Sequence, residues 1–163
     1  MAAYGTDAGF DTWLAEQGYT LASGLSNTVL RVRGSAYIDG YEAYWSGYRT
    51  DGVLQELGWP RTAATINCVT AVPTDAIPVA IVNAAYRAAW LEDQTPGVLA
   101  GATAGPGKRI KRQKVDSLER EFFDDGKASV GDGPTFIDSI IDGMMSQFIC
   151  DDEGAPFLWA VGS

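Results

Sequence analysis

Five cations stand close together in this 163-residue chain: Lys108, Arg109, Lys111, Arg112 and Lys114, with no acid among them. Such a strip can contact phosphates or an acidic protein surface. The rest of the chain is acidic, because 21 Asp and Glu outnumber 12 Lys and Arg and leave a net charge of −9. Residues 1–107 hold five basic and ten acidic groups, and residues 115–163 hold two basic and eleven acidic. Complementary patches steer association, so the favoured partner of the strip is the acidic surface of a neighbouring copy. No aromatic residue interleaves the strip, and only Phe122 and Phe123 follow it closely. Stacking on single-stranded bases needs such rings, so the nucleic-acid reading stands second.

Catalytic chemistry is thin. The chain has no histidine, which excludes Ser-His-Asp and Cys-His nucleophiles, His-ligated zinc and His-based pH switching. The two cysteines, Cys68 and Cys150, are too few for a four-thiolate metal site or a disulfide framework, and the expectation is two reduced, part-buried thiols. Gly107-Lys108 invites a phosphate-loop reading, but position 102 is alanine and Lys108 precedes Arg109 rather than Ser or Thr. Asp124-Asp125 and Asp151-Asp152-Glu153 lack the spacing of a calcium loop and read as solvated surface. No nucleophile elbow occurs. The expectation is a non-enzymatic protein with no cofactor and no metal site.

The elements that must position these residues follow from periodicity. Phe10, Trp13 and Leu14 share one helical face over residues 7–17, and Gly18 stops that helix. A second helix is predicted over 26–44, capped by Ser26 or Asn27, with Val29, Val32, Ala36, Tyr37 and Tyr41 on its apolar face. Tyr44, Trp45 and Tyr48 extend this aromatic stripe toward core or a subunit interface, and Gly34 and Gly40 leave room for close packing. Residues 46–75 read as irregular, with a short β-branched strand between Thr65 and Val72 and extended backbone before Pro60. A third helix is predicted over 76–92, with Pro78 in its first turn and alanines that imply close contact with another helix. Residues 95–107 are rich in Gly, Pro and small residues and read as flexible. An extended arm or β-hairpin is predicted near 108–122, and a fourth helix over 134–149.

The fold class predicted is mainly α: a small bundle of about four helices with that arm and an extended C-terminal tail. The domain reading is a single helical domain over 1–149, with an inserted arm at 95–133, followed by a tail at 150–163. Phe157, Leu158, Trp159 and Val161 make the tail apolar after its acidic start. Such a terminus docks back on its own domain or inserts into a partner, and exposed it would be a sticky patch. The sequence shows no secretory leader, no bilayer-spanning stretch and no N-glycosylation acceptor, so a soluble intracellular protein is expected.

Several motifs then come in a telling order: Tyr37-Ile38-Asp39, Trp45-Ser46-Gly47-Tyr48-Arg49, Gln55-Glu56-Leu57-Gly58-Trp59-Pro60-Arg61, and Ile77-Pro78 opening an alanine-rich helix. This pattern resembles the adaptor, or head–tail connector, proteins of long-tailed double-stranded DNA phages, over roughly residues 7–149. The same pattern also carries a DnaT-like single-stranded-DNA-binding label. The resemblance implies a structural virion protein of the phage neck, assembled in the host cytoplasm. It implies self-association into a ring, typically dodecameric, that attaches to the portal protein. That ring extends the DNA channel without sequence-specific binding and presents a docking surface for the next neck component, a stopper or tail terminator. On this reading Phe157, Leu158, Trp159 and Val161 bind the portal, and Lys108, Arg109, Lys111, Arg112 and Lys114 mediate subunit contacts. Trp45, Gly47, Trp59, Pro60, Arg61, Ile77 and Pro78 carry the family motif and pack the long loop. The alternative is a single-stranded-DNA-binding module that uses the strip 108–114. The chain departs from the pattern at Asp116, where a glycine is expected, and in the long small-residue spacer from Gly97 to Gly107.

Overall fold

A computed structural model describes residues 2–100, 112–115, 118–120 and 138–150, with backbone alone for the two middle segments. Four helices carry the fold: α1 (Asp7–Gln17), α2 (Asn27–Asp39), α3 (Val79–Gln94) and α4 (Ser139–Ser146). Three two-stranded antiparallel ribbons accompany them: β1 (Tyr48–Arg49) with β2 (Arg61–Thr62), β3 (Thr65–Ile66) with β4 (Thr70–Ala71), and β5 (Arg112–Val115) with β6 (Leu118–Arg120). The protein is mainly α with small sheets.

Local chemistry sets the helix ends. Thr6 caps α1 by accepting the Gly9 N–H at 3.0 Å, and Gly18 closes it at φ 68°. Ser26 caps α2, and Asp138 caps α4 by accepting the Ile140 and Ile141 N–H groups, each at 3.0 Å. Both are residues whose short acceptors replace missing helical carbonyls. The helix α3 starts one residue after Pro78, which is its cap rather than part of its first turn.

The centre of the fold is the α2–α3 crossing. Ala84, Ala85, Ala88 and Ala89 are buried there, so the alanine-rich helix does pack closely on a neighbour. A Cβ at Gly34 would lie 2.3 Å from the Ala85 carbonyl oxygen and 2.7 Å from the Ala89 nitrogen. One buried cluster joins Tyr37, Ile38, Tyr41, Trp45, Trp59, Ile81, Ile141, Met145 and Phe148. A second sits under α1 and joins Phe10, Trp13, Leu14, Leu30, Tyr86 and Ala89.

Four further expectations are corrected. First, α2 ends at Asp39, and only a 3₁₀ turn (Glu42–Tyr44) continues toward residue 44. Second, its buried face is Leu30, Arg31, Gly34, Ser35, Tyr37 and Ile38, whereas Val29 and Ala36 are exposed. The apolar pattern missed this because Arg31 is buried. Its guanidinium donates to the Tyr4 carbonyl (3.2 Å) and the Gly5 carbonyl (2.5 Å) and pairs with Asp7 at 2.6 Å. Third, the strand expected between Thr65 and Val72 is a tight hairpin, turned through Asn67 (φ 51°) and Cys68 (φ 60°).

The fourth correction concerns the thiols. Cys68 and Cys150 are not free but form a disulfide, with Cα atoms 5.5 Å apart. The β3–β4 turn and the end of α4 are 82 residues apart in sequence. They meet because Asn67 donates its N–H to the Gln147 carbonyl at 2.7 Å, a contact that no local pattern announces.

Candidate functional site

The motif residues gather in one loop, residues 42–62, where they hold backbone in place. Glu42 is the hub. Arg49 donates to both of its oxygens, at 2.8 and 2.6 Å, and Arg61 adds a third bond at 3.0 Å. Hydrogen bonds from Arg49 hold the Glu42 carboxyl below its usual range; burial opposes this and Arg61 reinforces it. Arg61 also donates to the carbonyls of Ser46 (3.0 Å), Gly58 (3.2 Å) and Gly47 (2.6 Å). Gly47 lies at φ 72°, and a Cβ there would sit 2.3 Å from the Thr62 carbonyl. Gln55 closes the apex, donating to the Leu57 carbonyl (2.7 Å) and the Pro60 carbonyl (2.9 Å) while accepting the Asp51 N–H (3.1 Å).

The loop is anchored from below by Trp45 and Trp59, both buried, with ring centroids 5.8 Å apart. Trp59 meets Phe148 of the α4 end at 5.4 Å, and the Trp59–Pro60 peptide is cis. Tyr4 and Asp39 form a buried pair of hydroxyl and carboxylate, and Asp39 also accepts the Gly58 N–H at 3.1 Å. Burial, more than any neighbour, raises the Asp39 carboxyl; its hydrogen bonds work against that rise.

The loop therefore turns many of its polar atoms inward, while Tyr48, Val53 and Leu54 face outward. Val53 is 97% exposed, Leu54 89% and Tyr48 63%. Apolar side chains on a mobile tip are commonplace. On a tip braced by Arg49, Gln55 and Arg61 they are presented to solvent from a preorganised backbone. Sequence reading did not find Val53 and Leu54, because they sit in a Gly-punctuated stretch with neither helical nor strand period. The available signal was the Arg, Gln and Arg around them, which is more bracing than a passive loop needs.

The cations tell a complementary story. Among residues 2–100 and 138–150 every cation is an arginine, and every one is ion-paired with a carboxylate. Arg31 meets Asp7, Arg33 meets Glu92, Arg49 and Arg61 share Glu42, and Arg87 meets Asp138 at 3.1 Å. Arg87 also lies over the stacked rings of Tyr19 and Trp90, whose centroids are 4.1 Å apart. That stack is already occupied by the chain's own cation. The remaining cations all fall within 108–127.

A groove of about 600 Å³ is lined by Arg33, Ala36, Tyr37, Glu92, Leu99 and Ala100. Among the described residues no cluster of three or more His, Cys, Asp or Glu is placed to hold a metal ion. No helix there is long and apolar enough to cross a membrane.

The predicted site residues divide accordingly. Trp45, Gly47, Trp59, Pro60 and Arg61 come together in the braced loop, and Ile77 and Pro78 lead into α3. Arg112 and Lys114 lie on β5, where an irregularity in register sets both Arg112 and Gln113 opposite Arg120. Lys108, Arg109, Lys111 and the tail residues Phe157, Leu158, Trp159 and Val161 lie outside the described residues.

A protein-family model described as "Putative DnaT-like ssDNA binding protein" matches residues 2–159. No curated protein and no solved structure matches the chain. Since the match spans nearly the whole sequence, the chain belongs to this DnaT-like family.

Proposed function

We propose that this chain is a structural, non-enzymatic assembly protein of a tailed-phage neck. It forms a ring on the portal, lets DNA pass through its channel without sequence-specific binding, and presents a surface to the next neck component. The observation that carries this reading is the braced loop with its outward Tyr48, Val53 and Leu54. Such a surface serves protein–protein contact between adjacent copies, and the ring itself is what the connector resemblance implies. The charge of the body agrees: an acidic wall does not retain a polyanion passing along it, whereas a basic wall would. The tail at 150–163 is assigned to the portal on the resemblance alone.

The test mixes purified protein with purified portal particles and weighs the product. The reading expects a ring of copies on the portal with wild-type protein and none with a V53D/L54D double variant that stays folded. Wild-type protein that remains monomeric in the presence of portal contradicts it.

A second reading has its own support. The family description names single-stranded DNA, and the cations other than the five ion-paired arginines all lie in 108–127. This reading expects salt-sensitive binding to oligothymidylate. If five phosphates are neutralised, log affinity falls with log salt at a slope of about −3.5. Charge reversal at Lys108, Arg109, Lys111, Arg112 and Lys114 then abolishes binding.

A further inference from the structure

We infer that Cys68 and Cys150 form a reversible thiol–disulfide site, through which small-molecule disulfides and dithiols control how the end of α4 is held on the body. This inference stands independently of the assembly reading.

The two sulfurs differ in access. Cys68 is exposed at the turn between β3 and β4, whereas Cys150 is half-buried just after α4. A dissolved thiol therefore reaches the Cys68 sulfur first. These are the chain's two cysteines, so within one molecule each has one possible partner.

The bond clamps the outer end of a seam whose inner end is held by the buried Phe148–Trp59 contact. Across it run the Asn67 to Gln147 hydrogen bond and an isolated bridge between Trp45 and Ile149. On the turn side, Asn67 and Cys68 both hold left-handed backbone at φ 51° and 60° without being glycine. That conformation is strained for Cys68 more than for Asn67, and it persists where the surroundings hold it. When the disulfide opens, the turn loses one of its restraints and gains a reason to relax. On the helix side, the buried Ile141, Met145 and Phe148 side chains keep α4 docked, while the backbone amides of 147–150 open more often.

The exchange balances without any other reagent. In oxidation, the Cys68 thiolate attacks a small disulfide such as oxidised glutathione, and one glutathione thiolate leaves. The Cys150 thiolate then attacks the Cys68 sulfur of the mixed disulfide and expels the second glutathione. Two electrons pass from the protein to the small disulfide, and the protons lost by the two cysteines end on the two released thiols. Reduction by a dithiol runs the same steps backwards, with attack at Cys68 and Cys150 as the leaving thiolate.

The experiment uses the full wild-type chain in glutathione buffers of graded oxidised-to-reduced ratio. Each sample is quenched with an alkylating agent and weighed intact. The site predicts that molecules carry either no adduct or two, with the balance following the buffer ratio. Hydrogen exchange at the amides of 147–150 is predicted to accelerate at least tenfold in the reduced state, while that of α1 and α2 is unchanged. Two adducts in every buffer overturn the inference, as does a disulfide that survives in reducing buffer. Equal exchange at 147–150 in both redox states overturns the control of the α4 end. A Cys68→Ser chain supplies a further check: its exchange at 147–150 is predicted to match reduced wild type and to ignore the buffer.

Discussion

Glu42 shows how much one side chain organises. It receives Arg49 and Arg61 together, and Arg61 is buried. Replacing Glu42 by Gln leaves both guanidinium groups short of an anion. The expected cost is about 2 kcal/mol, in line with hydrogen bonds to charged groups, read as a lower urea midpoint at unchanged slope. Acid sensitivity follows from similar groups. Asp93 is buried, which raises its carboxyl, but bonds from Ser23, the Ala22 N–H and Gln94 outweigh burial and leave it lowered. Glu42 is lowered by Arg49 first. Groups depressed in the folded state contribute stability above the ordinary carboxylate range and lose it as pH falls through and below that range. Asp39, raised by burial, works the other way, contributing below the ordinary range and losing that contribution as pH rises. With Glu42 and Asp93 acting together, the urea midpoint is expected to fall between about pH 7 and about pH 3, and Asp93→Asn to shrink that fall.

At the scale of elements, the α2–α3 crossing decides the fold. Gly34→Ala improves helix propensity by about 1 kcal/mol but drives a methyl into the backbone of α3. The clash is expected to win, with a net loss of about 1–2 kcal/mol seen in thermal or urea unfolding. Phe148→Ala empties the contact with Trp59 and is expected to cost about 3–5 kcal/mol. Much of this level was legible in the sequence. The start of α1, the Ser26 cap of α2 and the alanine face of α3 come from local periodicity and capping, which are written within a few residues of one another. The buried face of α2 was not legible, since Arg31 is stabilised by carbonyls of residues 4 and 5 that only the fold brings close. The disulfide escaped for the same reason: its two halves meet through a contact between the β3–β4 turn and α4. The bracing of the loop was half legible, because the Trp-Pro-Arg motif marked the position while the outward side chains at 53 and 54 carried no period to read.

For the whole molecule, charge and surface point the same way. The body has its arginines engaged by its own carboxylates, and its two most exposed apolar side chains, Val53 and Leu54, sit on a braced tip. The V53D/L54D variant separates surface from stability. Both positions lie almost wholly in solvent, so its stability is expected to stay within about 0.5 kcal/mol of wild type. Its assembly is expected to fail, because two charges then face the apolar contact. The most direct test of the central claim is electron cryomicroscopy of the neck of particles that carry this protein. The account predicts a ring of this chain between portal and tail, with Tyr48, Val53 and Leu54 buried against the adjacent copy. Particles that lack the chain, or a ring in which that tip faces solvent, would contradict it.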